Sequence, residues 1–416
     1  MGEGLRVGVV GGSISGCTAA IELSRADHDV TVYERSVGAL EGRGAGIGTP
    51  TPTFERLIAR DLISASTPRT TLSKHVLLGA DADNSPLGRA PLQLPMEMAT
   101  LHWRDLWSEL RGRVADDDYR GGAGVTSLVD PDSMRPGLHF ADGSVEHFDL
   151  VVCGDGYSSP ARRQLFPDAT LGYRGYVLWR GILPEAEVAD PDPLEDTLFR
   201  FSFPRLGGNG VFYFVPGLDG SAAVGERLVN WAHYIPVPAG ELGAFLTDKD
   251  GVVHRHSLPP GSMPDEQQQR LRELLTDHLP PYFADITTRT EATFAQPIYT
   301  SIPDSFHRGR CCLIGDAAAV VPPFTGAGVF KASNNAIDLV EALDSDGGRD
   351  VDAALGGWSA AETAGAHRLA AMGEQMEQAF VFAAPDLGAM NEAEANAWWT
   401  ASISFPDDFT YIADTD

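Results

Sequence analysis

The stretch LRVGVVGGSISG, Leu5 to Gly16, decides the fold. Leu5, Val7, Val9 and Val10 form a short apolar run that ends in a glycine pair, and an Ala-rich segment of helical character, Cys17 to Arg25, follows. Strand, tight turn and helix in that order open a dinucleotide-binding unit. Gly11 permits the turn. Gly12 and Ser13 keep side chains small where backbone must approach a pyrophosphate, and Gly16 lets the helix pack close on the strand. The amides at the helix start, through Ile14 and Ser15, then face the anion together with the helix dipole. A second apolar strand, Val30 to Tyr33, ends in Glu34 and Arg35. An acidic side chain about 20 positions past such a turn accepts hydrogen bonds from a ribose. Ser13 stands where the G-x-G-x-x-G pattern has its middle glycine.

The 416 residues allow two or three domains around a sizeable core. Apolar content of 43% and charged content of 21% are those of a globular enzyme. A net charge of −27 repels nucleic acid and anionic membrane, so neither is an expected partner. Cys17, Cys153, Cys311 and Cys312 show neither metal-ligand spacing nor a disulfide framework. Buried free thiols are expected, in a reducing cytoplasm, and no metal. The first strand begins near the N-terminus without a charged lead and long apolar core, so no signal peptide is expected. No apolar run reaches membrane-span length.

Onward from Glu34, the glycine-rich Gly38 to Gly48 reads as a loop, and Pro52 to Arg60 as a helix. Short alternating pieces around Val76 to Leu94 suggest a hairpin. Leu101 to Arg111 has helical spacing, with Arg104 in its first turn. Val125 to Phe148 alternates about a turn at Asp142-Gly143. Leu150, Val151 and Val152 form a buried strand leading into Gly154-Asp155-Gly156, with Arg162 and Arg163 in the short helix beyond. Tyr173 to Val237 reads as a series of strands separated by Gly, Pro and Asp turns, an antiparallel sheet with one covered face. Pro264 to Leu279 is an amphipathic helix and Ala292 to Ile302 a strand. Cys311 to Ile314 is another buried strand, leading into Gly315-Asp316, a Pro322-Pro323 break, and Gly326-Ala327-Gly328 opening a helix to Leu343. Helical spacing returns from Ala366 to Phe382, before an aromatic and acidic tail. The parallel-type strands lie far apart in sequence, so the nucleotide domain is discontinuous.

Three separated glycine and acid motifs stand in this order. With them, VVGGSISG, VYERS, GYVLWRG, VPGLDGS, RLVNWAHY, HSLPPG and CLIGDAA make the chain similar to the single-component FAD aromatic hydroxylases of the para-hydroxybenzoate hydroxylase type, and most to their dihydroxypyridine hydroxylase branch. The resemblance covers nearly all of the chain up to about Leu343. It implies an α/β fold: a Rossmann-like (GR2-type) FAD-binding domain from 1–75, 95–172 and 300–365, an antiparallel β-sheet substrate domain from 76–94 and 173–299, and a C-terminal helical segment and tail, 366–416. It also implies tightly but non-covalently bound FAD, NADH or NADPH as co-substrate, dioxygen, a small aromatic substrate, and a monomer or homodimer.

Carried over position by position, the resemblance has Gly11, Gly12, Ser13, Ile14, Ser15 and Gly16 cradling the FAD pyrophosphate and Glu34 holding the adenosine ribose, with Arg35 beside it. Arg104 contacts the ribityl–phosphate region. Asp155 and Gly156 lie near the pyrophosphate, and Gly315 and Asp316 bind the ribityl chain. Pro323, Gly326, Ala327, Gly328 and Val329 bring the helix amides to the flavin pyrimidine edge, where charge appears on reduction. Arg43, Gly44, Gly46 and Ile47 border the isoalloxazine. Trp179, Arg180, Tyr213 and His233 are the substrate candidates on the sheet, with Phe324 and Thr325 on the flavin side; His102 and Tyr213 are the candidate bases. Ala319 stands where many members have histidine, and Lys331 where many have asparagine. The implied reaction is hydroxylation of an electron-rich, hydroxylated aromatic or hydroxypyridine-like ring through a flavin C4a-hydroperoxide. Other flavin-peroxide outcomes (epoxidation, Baeyer–Villiger insertion) and a non-catalytic flavin-fold binding protein are the alternatives; halogenation lacks its W-x-W-x-I-P signature.

Overall fold

The computed structural model describes residues 4–38, 40, 46–81, 85–291, 293–345 and 350–403. The leading apolar run forms β1 (Arg6–Val10), followed by α1 (Ile14–Arg25) and β2 (Asp29–Glu34). Then come β3 (Gly46–Pro50), α2 (Thr51–Ala59), β4 (Thr70–Gly79), β5 (Arg89–His102) and α3 (Trp103–Arg111). Four short strands, β6 (Tyr119–Gly121), β7 (Val125–Val129), β8 (Gly137–Phe140) and β9 (Val145–His147), precede β10 (Leu150–Cys153) and α4 (Pro160–Leu165). The long central part is β11 (Gly172–Pro184), β12 (Thr197–Ser202), β13 (Asn209–Val215) and β14 (Leu228–Pro236), with α5 (Leu242–Phe245), α6 (Asp265–Thr276), α7 (Pro281–Arg289) and β15 (Phe294–Thr300). The chain ends with β16 (His307–Arg308), β17 (Cys311–Leu313), α8 (Gly328–Asp344), α9 (Val351–Glu377) and α10 (Glu392–Ser402).

The first sheet has the order β16-β17-β10-β1-β2-β6, and β17, β10, β1, β2 and β6 run parallel. Its central strands are apolar throughout because α1 and α8 cover one side and the β7–β9 layer and its neighbours the other. The chain leaves β1 toward β2 on one side and comes back to β10 on the other. That reversal opens a crevice at the carboxyl ends of β1 and β10, where α/β sheets bind their ligands. The parallel strands come from three separate stretches of chain, 6–34, 119–153 and 311–313.

The second sheet has the order β15-β11-β14-β13-β12-β4-β5-β3. It is antiparallel except where β12 lies parallel to β4. The chain passes through much of the first domain between those two strands, so no hairpin dictates their direction. Both faces of this sheet are covered, which corrects the expected single covered face: β12 and β13 are buried at every position. Alternate side chains feed two cores. Val177, Trp179, Phe199, Phe201, Phe212 and Trp231 pack under α6 and α7, while Tyr176, Leu178, Val211, Tyr213, Ala232 and Tyr234 pack against Phe324, the end of α9, and α10.

Other boundaries also differ from expectation. The hairpin spans Thr70 to His102, wider than 76–94, because β5 pairs with β3 as well as β4. For the same reason α3 starts at Trp103: Leu101 and His102 still belong to the sheet, opposite Ile47 and Gly46. The end of the glycine-rich loop is therefore strand. The C-terminal helix starts at Val351, ahead of Ala366.

Candidate active site

Three turns meet at the crevice. In the first, Gly11 holds φ of 96° and donates to the Tyr33 carbonyl at 2.9 Å; a Cβ there would lie 2.4 Å from the Gly154 carbonyl oxygen. A Cβ at Gly16 would fall 1.8 Å from the Gly11 carbonyl oxygen, so helix and turn touch only because both residues are glycine. Glu34 is buried, accepting from the Gly12 amide at 2.9 Å through one carboxylate oxygen and from the Ser36 amide at 2.9 Å through the other. Ser13 starts α1 without a side-chain cap, and Ile14 lies buried behind it.

In the second turn, the Gly154 amide donates to the Val10 carbonyl at 2.8 Å. One oxygen of Asp155 accepts from the Ala161 amide at 3.1 Å, while the other is buried with no hydrogen-bond partner. Burial raises its carboxyl above the ordinary value. Gly156 holds φ of 83° with open space where a Cβ would stand.

The third turn is Gly315–Asp316. A Cβ on Gly315 would lie 2.8 Å from the Ser15 hydroxyl, and one on Gly154 would lie 2.9 Å from the same hydroxyl. One small side chain thus touches the other two turns, across 139 and 300 residues of sequence. Arg162 ties the turns further: it is almost wholly buried and donates to the carbonyls of Asp316 at 2.8 Å and Ala317 at 2.9 Å, and to that of Tyr157. Asp316 is half exposed and pairs with Lys331, whose ammonium lies 2.7 Å away and also bonds the Ala319 carbonyl. Past the Pro323–Thr325 turn, Gly326 takes φ of 61° and α8 begins at Gly328, whose Cβ position is open. Ala327 and Val329 are buried beside it.

A groove of about 280 Å³ runs along the first two turns, lined by Gly11, Ser13, Glu34, Arg35, Gly154, Asp155 and Gly156 with Trp103 and Pro160. Glycine edges and a buried carboxylate oxygen awaiting a donor fit a dinucleotide with ribose hydroxyls. Arg104 is engaged elsewhere, by Asp105 at 3.1 Å and the Leu218 carbonyl. Arg43 and Gly44 lie outside the described residues.

The sheet candidates divide by face. Tyr213 and Arg180 are on the side of Phe324; Arg180 donates to the Gly46 carbonyl, and its Nε and the Asn230 side-chain nitrogen are buried without partners. Trp179 and His233 are on the opposite side. Trp179 is fully buried edge-on to Trp231, with ring centroids 5.3 Å apart. His233 bonds Thr287 at 3.2 Å and is pushed by burial down to about 3. Both are corrected to core residues: odd positions of β11 point under α6 and α7. His102 is buried, with Nε2 2.8 Å from the Pro216 carbonyl; that oxygen only accepts, so Nε2 carries the proton, and burial lowers the ring's pKa. Thr325 is buried and accepts from the Ala327 amide at 3.3 Å. Sequence reasoning missed Tyr176, Tyr234 and Arg200. Tyr234 lies tilted against Phe324 with centroids 4.4 Å apart, and Tyr176 stacks on it at 6.1 Å. The Arg200 guanidinium bonds Asn209 at 2.7 Å and lies 4.4 Å from the Phe380 ring centroid. Alternation around Tyr213 marks this face once the register is known.

Comparison with known proteins agrees with this geometry. A model described as NAD(P)-binding Rossmann-like domain matches residues 9–39, and one described as FAD binding domain-like matches 173–300. The 2,6-dihydroxypyridine 3-monooxygenase of Paenarthrobacter nicotinovorans is 30% identical over 362 residues, 85% of this chain and 86% of that protein. The chain belongs to the FAD-dependent aromatic monooxygenases. The solved structure of 2,6-dihydroxypyridine-3-hydroxylase from Arthrobacter nicotinovorans matches with a TM-score of 0.82 at 26% identity, over 92% of this chain and 95% of that one. The 6-hydroxynicotinate 3-monooxygenase of Pseudomonas fluorescens is 24% identical over 85% of this chain and 86% of its own. FAD is the cofactor of this monooxygenase, with NAD(P)H and dioxygen as co-substrates. Among the described residues, no helix is long and apolar enough to cross a membrane, and no group of His, Cys, Asp or Glu has metal-site geometry.

Proposed function

We propose that this monooxygenase hydroxylates a small, electron-rich ring bearing a hydroxyl group, a hydroxypyridine above others. The observation that carries the reading is the sheet face opposite Phe324. It sets the hydroxyl-bearing rings of Tyr176, Tyr213 and Tyr234 and the cations Arg180 and Arg200 among Leu178, Val211 and Ala232. Aromatic faces with hydroxyl and guanidinium donors among them are the chemistry that would recognise a flat ring carrying a hydroxyl group.

FAD, when bound, supplies dioxygen activation with electrons from NAD(P)H. The residues proposed to hold it are Gly11 to Gly16, Glu34, Arg35, Asp155, Gly156, Gly315 and Asp316, with Pro323 to Val329 at the ring end. The α8 N-terminus favours negative charge near that end. Arg180 and Arg200 lie close enough to Tyr234 to hold its hydroxyl below where burial alone would put it. The same positive field favours an ionised substrate oxygen, which makes the ring carbon more nucleophilic. Tyr213 is proposed to donate to or relay from that oxygen. The aromatic walls exclude water.

The test is NAD(P)H oxidation by the purified yellow protein with 2,6-dihydroxypyridine, other hydroxypyridines, hydroxyquinolines and phenols, with product identified by mass and NMR. Stimulated oxidation with a ring-hydroxylated product is expected. No stimulation by any of these compounds would overturn the reading; an epoxide or lactone product would move it to another oxygenation.

A further inference from the structure

Four side chains hold the peptide groups of Gly12. Its amide donates to Glu34 Oε2 at 2.9 Å. Its carbonyl oxygen accepts from three elements: the Trp107 indole of α3 at 2.8 Å, the Tyr119 hydroxyl of β6 at 3.3 Å and the Cys17 thiol of α1 at 3.3 Å. The indole bond is the shortest of the three. Trp107 is buried, its ring parallel to that of Trp103 with centroids 6.2 Å apart. Tyr119 packs so close that a Cβ on Gly12 would lie 2.2 Å from its hydroxyl oxygen.

The peptide joining Gly12 to Ser13 is planar and trans. In such a peptide the carbonyl and the following N–H point in opposite directions. Fixing the Gly12 oxygen toward Trp107 and Tyr119 therefore aims the Ser13 N–H away from them. Of the two residues that share this peptide, Ser13 lines the groove. Ser13 also immediately precedes α1, whose dipole favours an anion at this end. Rotating the peptide by half a turn would set the carbonyl oxygen, with its partial negative charge, where the N–H now stands. Gly12 has no Cβ to oppose that rotation. The restraint comes from the donors on its oxygen.

We propose that Trp107 is a positioning residue for FAD: by holding the Gly12 carbonyl, its indole N–H presents the Ser13 amide to the cofactor's pyrophosphate. The inference rests on the reading that assigns the Gly11–Gly16 turn to FAD. Trp107 acts here through the peptide and needs no contact with the cofactor. Tyr119 supports the same orientation through its longer bond.

The experiment is a double-mutant cycle on FAD affinity, read by quenching of flavin fluorescence as FAD is added to the apoprotein, with folding checked by circular dichroism. Ser13→Pro deletes the amide hydrogen itself, and φ of −89° at this position is close to the range of a proline ring. Losing one hydrogen bond to a charged group should raise the dissociation constant about tenfold or more. Trp107→Phe keeps an aromatic ring and removes the indole N–H; its dissociation constant should rise about three- to tenfold, the usual worth of a neutral hydrogen bond. Both changes act on one contact, so the double variant should bind within about twofold of Ser13→Pro alone. Tyr119→Phe, which deletes a single oxygen, runs the same cycle where Trp107→Phe does not fold: about twofold weaker binding by itself, and no further loss on top of Ser13→Pro. Losses that multiply in the double variant, or parent-like affinity in Trp107→Phe, overturn the proposal, because the ring then acts through packing alone. Unchanged affinity in Ser13→Pro sinks the assignment of the turn to the cofactor, and the proposal with it.

Discussion

The Lys331–Asp316 pair is asymmetric, and the asymmetry is measurable. The Lys331 side chain is 4% exposed, while that of Asp316 is 51% exposed. Replacing Asp316 by alanine leaves a buried ammonium with only the Ala319 carbonyl for company. Breaking a buried pair this way costs about 3–5 kcal/mol, and the open side of this pair puts the expectation near the low end, about 3 kcal/mol. Replacing Lys331 by methionine leaves a carboxylate that water solvates, so the loss should be that of a surface pair, at most about 1 kcal/mol. The double variant removes both charges and should return to within about 1 kcal/mol of the parent, a coupling of roughly 3 kcal/mol. Urea unfolding of the flavin-free proteins, followed by tryptophan fluorescence, measures this cycle. Flavin content separates the second role: Asp316→Ala and the double variant should both lose FAD, while Lys331→Met retains it. If Asp316→Ala is as stable as Lys331→Met, the buried-charge argument is wrong. If the double variant regains FAD, Asp316 does not hold the cofactor.

Three shorter predictions accompany it. Gly11→Ala forces a side chain to φ of 96°, about 1–3 kcal/mol of strain, and against the Gly154 carbonyl; the variant should purify colourless or not at all, and a yellow protein with the parent's melting temperature would refute the turn geometry. Tyr213→Phe should lower turnover at unchanged flavin content, whereas Trp179→Phe should lose about 1–3 kcal/mol of stability through a packing gap and keep the parent's KM; the reverse pattern would mean the sheet faces are misassigned. Burial lowers the His102 pKa, so the ring stabilises the fold at neutral pH and that contribution is lost as pH falls below its ordinary value of about 6.5. His102→Gln should then flatten the acid side of the stability profile while leaving the pH dependence of turnover intact; a changed turnover profile would restore His102 as a base.

What the sequence discloses here follows from range. The β1–α1 turn is legible because every requirement is local: Gly11 needs its φ, Gly16 its proximity, and Glu34 sits one strand away. Trp179 and His233 cannot be separated from Arg180 and Tyr213 by sequence because both faces of the sheet are apolar, so alternation alone carries no sign. Gly46 to Gly48 reads as loop from its composition, yet β5 supplies backbone partners and Arg180 clamps the Gly46 carbonyl. Gly356 and Gly357 discourage a helix by about 1 kcal/mol each, and packing of α9 on α8 outweighs them. Lys331, Asn335 and Glu362 act through partners 15 to 27 residues away on other elements, and no short pattern announces such pairings.

The convergence on Ser15 ties cofactor binding to folding. Its hydroxyl sits against both Gly154 and Gly315, so the dinucleotide turn is finished only when chain from three distant segments has assembled. Arg162 spans the same gap from α4 to the Asp316 turn. The unfolded chain lacks this assembly and has no matching FAD site, so FAD stabilises the native state by mass action, about 2.7 kcal/mol at a free concentration a hundredfold above its dissociation constant. The increment should fall most in variants that separate the turns. Ser15→Val, with two γ-methyls in place of one hydroxyl, presses a methyl against both glycines and should erase most of the FAD-dependent rise in melting temperature. Asp61→Ala, on an exposed loop distant from the turns, should leave that rise intact. Equal FAD-dependent rises in the two variants would show that the three turns bind independently, and the reading of the groove as one cofactor site would fall with it.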